Sequence, residues 1–71
     1  KKLPDNVKKV FKKLIPCIEE NPFNPRLKTH MLQGSKSHIF SLSVTYKIRA
    51  LFIIDGATIV FSDIGNHDDL Y

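Results

Sequence analysis

Seventy-one residues hold one domain, and a chain this short buries only about 60% of its unfolded surface, so marginal stability is expected. With 42% hydrophobic and 25% charged residues, three Gly and four Pro, the composition excludes a disordered or low-complexity chain. No apolar run nears the ~20 residues of a membrane span, and the lone Cys17 has no internal disulfide partner. A cytoplasmic protein without a membrane segment is the expectation, and its net charge of +4 suits either an anionic partner or a merely lysine-rich surface.

The first element in the chain reads as a helix over about 5–20. Val7, Val10, Phe11, Leu14, Ile15 and Ile18 recur at spacings of three and four and form one stripe. Pro4 and Asp5 suit the first turn, and Asn21-Pro22 ends the run. Pro16 removes one hydrogen bond and crowds the carbonyl of Lys12, so a kink or break is expected there. Lys8, Lys9, Lys12 and Lys13 make a basic face opposite the stripe. A solvated surface is the plainer account of it, with phosphate binding the alternative.

Three strands follow, over about 38–44, 48–54 and 57–64. Phe40, Leu42 and Val44 alternate with Ser41 and Ser43, which assigns them to opposite faces. A three-residue loop, Thr45-Tyr46-Lys47, pairs Val44 with Ile48, Leu42 with Ala50 and Phe40 with Phe52. A two-residue loop sets apolar against polar residues and is rejected. Asp55-Gly56 is a two-residue hairpin signal that sets Ile54 opposite Ala57, Phe52 opposite Ile59, Ala50 opposite Phe61 and Arg49 opposite Ser62. The expected fold is α+β: a kinked or broken N-terminal helix packed on a three-stranded antiparallel meander. Phe40, Phe52, Ile59 and Phe61 face the helix, and Arg49 stands on the other face between Ser43 and Ser62. A cation flanked by hydroxyls on an open sheet face is a way to build an anion site, although an arginine there is more often solubilising.

Few other residues carry chemistry. His30, His38 and His67 lack the spacing of a metal site, and no glycine-rich phosphate loop is present, so no metal and no cofactor is expected. His38 projects with Phe40 and reads as a buried or edge histidine. Cys17, beside the apolar stripe, reads as a small buried hydrophobe. His67 precedes Asp68-Asp69, whose carboxylates favour an imidazolium suited to proton donation; a surface histidine beside a helix-capping Asp looks the same.

Asn21-Pro22 followed by Leu27-Lys28-Thr29-His30-Met31-Leu32-Gln33-Gly34 is similar to an element of RelE/ParE-type toxins. Tyr46-Lys47-Ile48-Arg49-Ala50-Leu51-Phe52 resembles a strand of that superfamily. Ile64-Gly65-Asn66-His67-Asp68-Asp69-Leu70-Tyr71 resembles the closing segment of its YafQ-like branch. The motifs keep their order over about residue 3 to the end. The resemblance implies a single toxin domain over 1–71, with Lys1-Lys2-Leu3-Pro4 matching the end of a first helix. On that alignment the family's N-terminal strand is missing and one sheet edge is open.

The same resemblance implies function. Such toxins are held silent by an antitoxin whose disordered segment wraps them, and the ribosome-dependent members cut mRNA in the ribosomal A site through attack of the 2′-hydroxyl. Carried over by position, Arg49 matches the phosphate-stabilising arginine, His67 the general acid and His30 the base or substrate contact. Lys28, Lys36 and Tyr71 are the expected substrate contacts, Tyr71 by stacking a base. Many active members of the family carry Arg or another charged residue on the strand after Gly34, where Ser41 and Ser43 stand here. The leading expectation is a ribosome-dependent endoribonuclease with mRNA and an antitoxin as partners. The alternatives are a ParE-like inhibitor of DNA gyrase, for which His67 is dispensable, and an inactive antitoxin-binding remnant.

Overall fold

The computed structural model describes residues 3–32, 34 and 38–66. Its first element is α1, Asp5–Glu20, with the length that the apolar spacing dictates. No side chain caps its start. The Pro4 carbonyl instead accepts from the amides of Val7 and Lys8 at 3.0 and 3.1 Å, and the Asn21 amide closes the far end on the Cys17 carbonyl. Val7 and Ile18 are buried, while Phe11, Leu14 and Ile15 pack half-buried against the same core. Of the kink or break expected at Pro16, the break does not occur: the helix runs through it. Pro16 is exposed and forfeits one bond near the helix end, while Ile15, Cys17 and Ile18 around it hold both sides to the core.

A turn of 3₁₀ helix, Pro25–Leu27, connects α1 to the sheet. Asn24 caps it by accepting from the Arg26 amide at 2.9 Å, and Leu27 drops into the core. Lys28 ends it in the left-handed conformation, φ 52°. Then comes β1, His30–Met31, a strand absent from the sequence reading because two exposed residues carry no period to detect. It pairs with β2, Phe40–Ser43, through His30↔Ser41 and Met31↔Phe40. With β3, Ile48–Asp55, and β4, Thr58–Asn66, the meander has four strands, ordered β1-β2-β3-β4, all antiparallel. No described strand pairs with the outer edge of β4.

The β2–β3 register is the expected one. Phe40 faces Phe52, Leu42 faces Ala50, and the Val44 amide donates to the Ile48 carbonyl at 2.8 Å. The β3–β4 register differs. The loop is Gly56-Ala57, so Asp55 faces Thr58, Ile54 faces Ile59 and Phe52 faces Phe61. Positive φ falls on Gly56 (62°) and not on Ala57, the pattern of a type II′ turn rather than one built on Asp55-Gly56. A bulge at Ser62 then shifts the ladder, setting Leu51 opposite Asp63, Ala50 opposite Ile64 and Arg49 opposite Gly65. Phe61 and Ile64 are three apart and belong to opposite faces of a regular strand. The extra residue brings both to the helix side.

All five phenylalanines join in one line of ring contacts, Phe23–Phe40–Phe52–Phe61–Phe11, with centroids 5.1 to 6.0 Å apart. The line runs from the loop after α1, across three strands, and back onto α1. Phe52 is fully buried at its centre. His38 departs from expectation: it is exposed, lies before β2 and has φ 52°, so it takes no part in the core edge.

Candidate active site

Strand parity sends Ala50 and Phe52 to the helix and Arg49 to the opposite face. There its guanidinium lies along the sheet. Nε donates to Ser41 Oγ at 3.0 Å, and Nη2 reaches the Lys28 carbonyl at 3.4 Å and His30 Nδ1 at 3.2 Å. Ser41 is fully buried and stands beside His30 in the β1–β2 pairing. Arg49 therefore reaches from β3 over β2 to β1.

The flanking hydroxyls expected at Arg49 are engaged elsewhere. Ser43 stands opposite Arg49, but its hydroxyl donates to the Thr45 carbonyl at 3.3 Å. Ser62, in the bulge, donates to the Leu51 carbonyl at 3.4 Å, and Gly65 takes its place across from Arg49. The serine that serves is Ser41, the diagonal neighbour. A long side chain reaches a diagonal position two residues along the partner strand, so the alternation of Ser41 and Ser43 contained this contact once Arg49 was set opposite Ser43.

The electrostatics follow from the partners. A hydroxyl, a carbonyl and an imidazole hold the guanidinium in place without cancelling its charge, and no described carboxylate pairs with it. Both Nη1 hydrogens are uncommitted among the described residues, which suits them to an anionic oxygen. A guanidinium has no lone pair to offer. The 3.2 Å contact is a hydrogen bond in the tautomer that leaves Nδ1 of His30 bare and carries the ring proton on Nε2. The Lys28 carbonyl, 3.3 Å from the same Nδ1, is the bonding partner in the other tautomer.

The structure thus brings together Arg49, His30 and the backbone of Lys28, and adds Ser41, which the sequence reading treated only as a departure. Lys36, His67 and Tyr71 lie outside the described residues. No group of His, Cys, Asp and Glu suited to a metal occurs among the described residues, and no helix is long and apolar enough to cross a membrane. Compared with known proteins, the chain matches no family model, no curated protein and no solved structure.

Proposed function

We propose that the chain is an endoribonuclease of the RelE/ParE toxin type that cuts mRNA on the ribosome through attack of the 2′-hydroxyl. The observation that carries this reading is the Arg49–His30 contact: a cation and a proton acceptor held 3.2 Å apart on the face of the sheet turned away from the helix. Strand scission needs both. The attacking 2′-hydroxyl loses a proton, the phosphorane gathers negative charge, and the departing 5′-oxygen gains a proton. The products are a 2′,3′-cyclic phosphate and a 5′-hydroxyl.

Arg49 supplies the charge. Its Nη1 hydrogens meet one phosphate oxygen, and Nη2 can turn to a second in the planar fork that guanidinium offers phosphate. That turn withdraws Nη2 from His30 and frees the Nδ1 lone pair for the 2′-hydroxyl proton, so arrival of the phosphate releases the base. Ser41, bonded to Nε, keeps the guanidinium on the sheet while Nη2 changes partner. By the resemblance, His67 protonates the leaving oxygen and Lys28, Lys36 and Tyr71 contact the RNA. The cognate antitoxin in the cytoplasm is the protein partner, and the outer edge of β4 suits pairing with an added strand.

The test is incubation of the protein with translating ribosomes and a defined mRNA, with product ends mapped and a DNA gyrase supercoiling assay run beside it. Cleavage leaving a cyclic phosphate supports the reading. Inhibited supercoiling with intact mRNA moves the gyrase-directed alternative ahead.

A further inference from the structure

Beside the Arg49 cluster, a hollow of about 350 Å³ opens where α1, the 3₁₀ turn and the β2–β3 hairpin meet. Leu27 and Val44, both buried, contribute to its lining, and Lys13, Arg26 and Lys28 bring three cations to it from two elements. Among the described residues none of the three side chains makes an ion pair. Lys9, one helical turn before Lys13 on the same exposed stripe, continues the charge along α1. Charge left uncompensated around a concavity favours an anionic ligand.

The hairpin tip adds a second, independent feature. Tyr46 also lines the hollow, is 97% exposed, and its ring stacks on no described aromatic. An aromatic held in water beside a cluster of cations is the pairing with which single-stranded nucleic acid is bound: phosphates meet the cations, and an unstacked base lies on the ring. Lys28 joins this hollow to the Arg49 cluster, since its carbonyl accepts from Arg49 Nη2 while the residue lines the hollow.

We infer that the hollow is a binding site for single-stranded RNA, with a backbone phosphate among Lys13, Arg26 and Lys28 and a base stacked on Tyr46. The strand then runs over Lys28 to the Arg49 face. The choice of RNA rests on the function proposed above; the charge and the exposed ring do not. The volume fits one nucleotide unit and lies at the low end of the roughly 300–1,000 Å³ of small-molecule sites. An acidic protein segment satisfies the lysines but leaves Tyr46 without a purpose.

The experiment is fluorescence anisotropy with a labelled single-stranded 2′-O-methyl RNA, which lacks the attacking hydroxyl and so reports binding apart from cleavage. Duplex RNA and a polyglutamate peptide serve as competitors. Tyr46→Ala should weaken binding about 5- to 150-fold. Lys13→Gln with Arg26→Gln should reduce the salt slope by up to about 0.7, the share of the one phosphate held there. All three side chains are exposed, and unchanged melting curves are expected for both variants. Wild-type affinity in both overturns the inference, as does a polyglutamate that binds at the hollow where the RNA does not. Arg49→Ala separates the two proposals: lost cleavage, with the remaining binding still weakened by Tyr46→Ala, supports both. Cleavage absent in the wild type, with binding still dependent on Tyr46, leaves this inference standing and removes the nuclease.

Discussion

Arg49 Nη2 and His30 Nδ1 lie 3.2 Å apart although their strands, β3 and β1, are separated by β2. The contact bridges the intervening strand over Ser41, whose buried hydroxyl takes the Nε proton. Ser41→Ala removes the Nε partner of the guanidinium and leaves the Lys28 carbonyl and His30 on Nη2. A hydrogen bond to a charged group is worth about 1.5–3 kcal/mol, so urea denaturation of Ser41→Ala should show a loss of that order. In a double-mutant cycle with Arg49→Ala the two losses should overlap by about 0.5 kcal/mol or more. Simple additivity of the two would show that the bond contributes nothing to stability.

The phenylalanine line predicts a gradient. Phe52, at its centre and fully buried, should cost about 3–5 kcal/mol when replaced by Ala, enough to unfold a domain of this size. Phe23, at the outer end and 46% exposed, should cost less than half as much. Circular-dichroism melts of the two variants decide it, and equal losses contradict the placement.

The bulge at Ser62 makes a prediction about deletion. In a regular strand, loss of one residue sends every later side chain to the wrong face. Here Ser62 is the surplus residue, so its deletion leaves Phe61 and Ile64 on the helix side of an uninterrupted ladder. The protein lacking Ser62 should stay folded, with a melting point within a few degrees of the wild type. Deletion of Val60 should unfold it. If the Ser62 deletion is the more damaging of the two, the ladder has a different register.

These tests bear on how much of the molecule could be read from residues alone. The helix, the β2–β3 register and the exposed face of Arg49 were legible because each rests on a strong apolar period, and parity then leaves one solution. The Ser62 bulge was not, because Asp55-Gly56 and Gly56-Ala57 both read as two-residue turns and nothing local chooses between them. The choice is made at a distance, by the burial of Ile64 beside Ala50. β1 escaped notice for the opposite reason: two exposed residues have no pattern, and β2 recruits them after the 3₁₀ turn. In the site, Arg49 is legible from its place on the open sheet face as well as from resemblance and His30 from resemblance, while their contact and the part of Ser41 depend on that unseen strand.

Lys28 offers a variant that separates charge from fold. Its backbone is left-handed, φ 52°, a conformation that costs an L-residue roughly 1 kcal/mol and glycine little. Lys28→Gly should therefore keep or slightly raise the melting temperature while weakening RNA binding. A clear drop in melting temperature would contradict a purely ligand-binding part for this side chain.

The central claim is that Arg49, braced by Ser41 and in contact with His30, holds the phosphate during scission. Single-turnover cleavage of mRNA on translating ribosomes tests it most directly, with wild type, Arg49→Ala and Arg49→Lys compared at equal folded fraction. Loss of a positioned donor to the developing charge removes a factor of roughly 10²–10³ in rate, and Lys cannot serve Ser41 and the phosphate together. Both variants should fall by that order while wild type leaves a 2′,3′-cyclic phosphate; Arg49→Ala cutting at the wild-type rate would contradict the account.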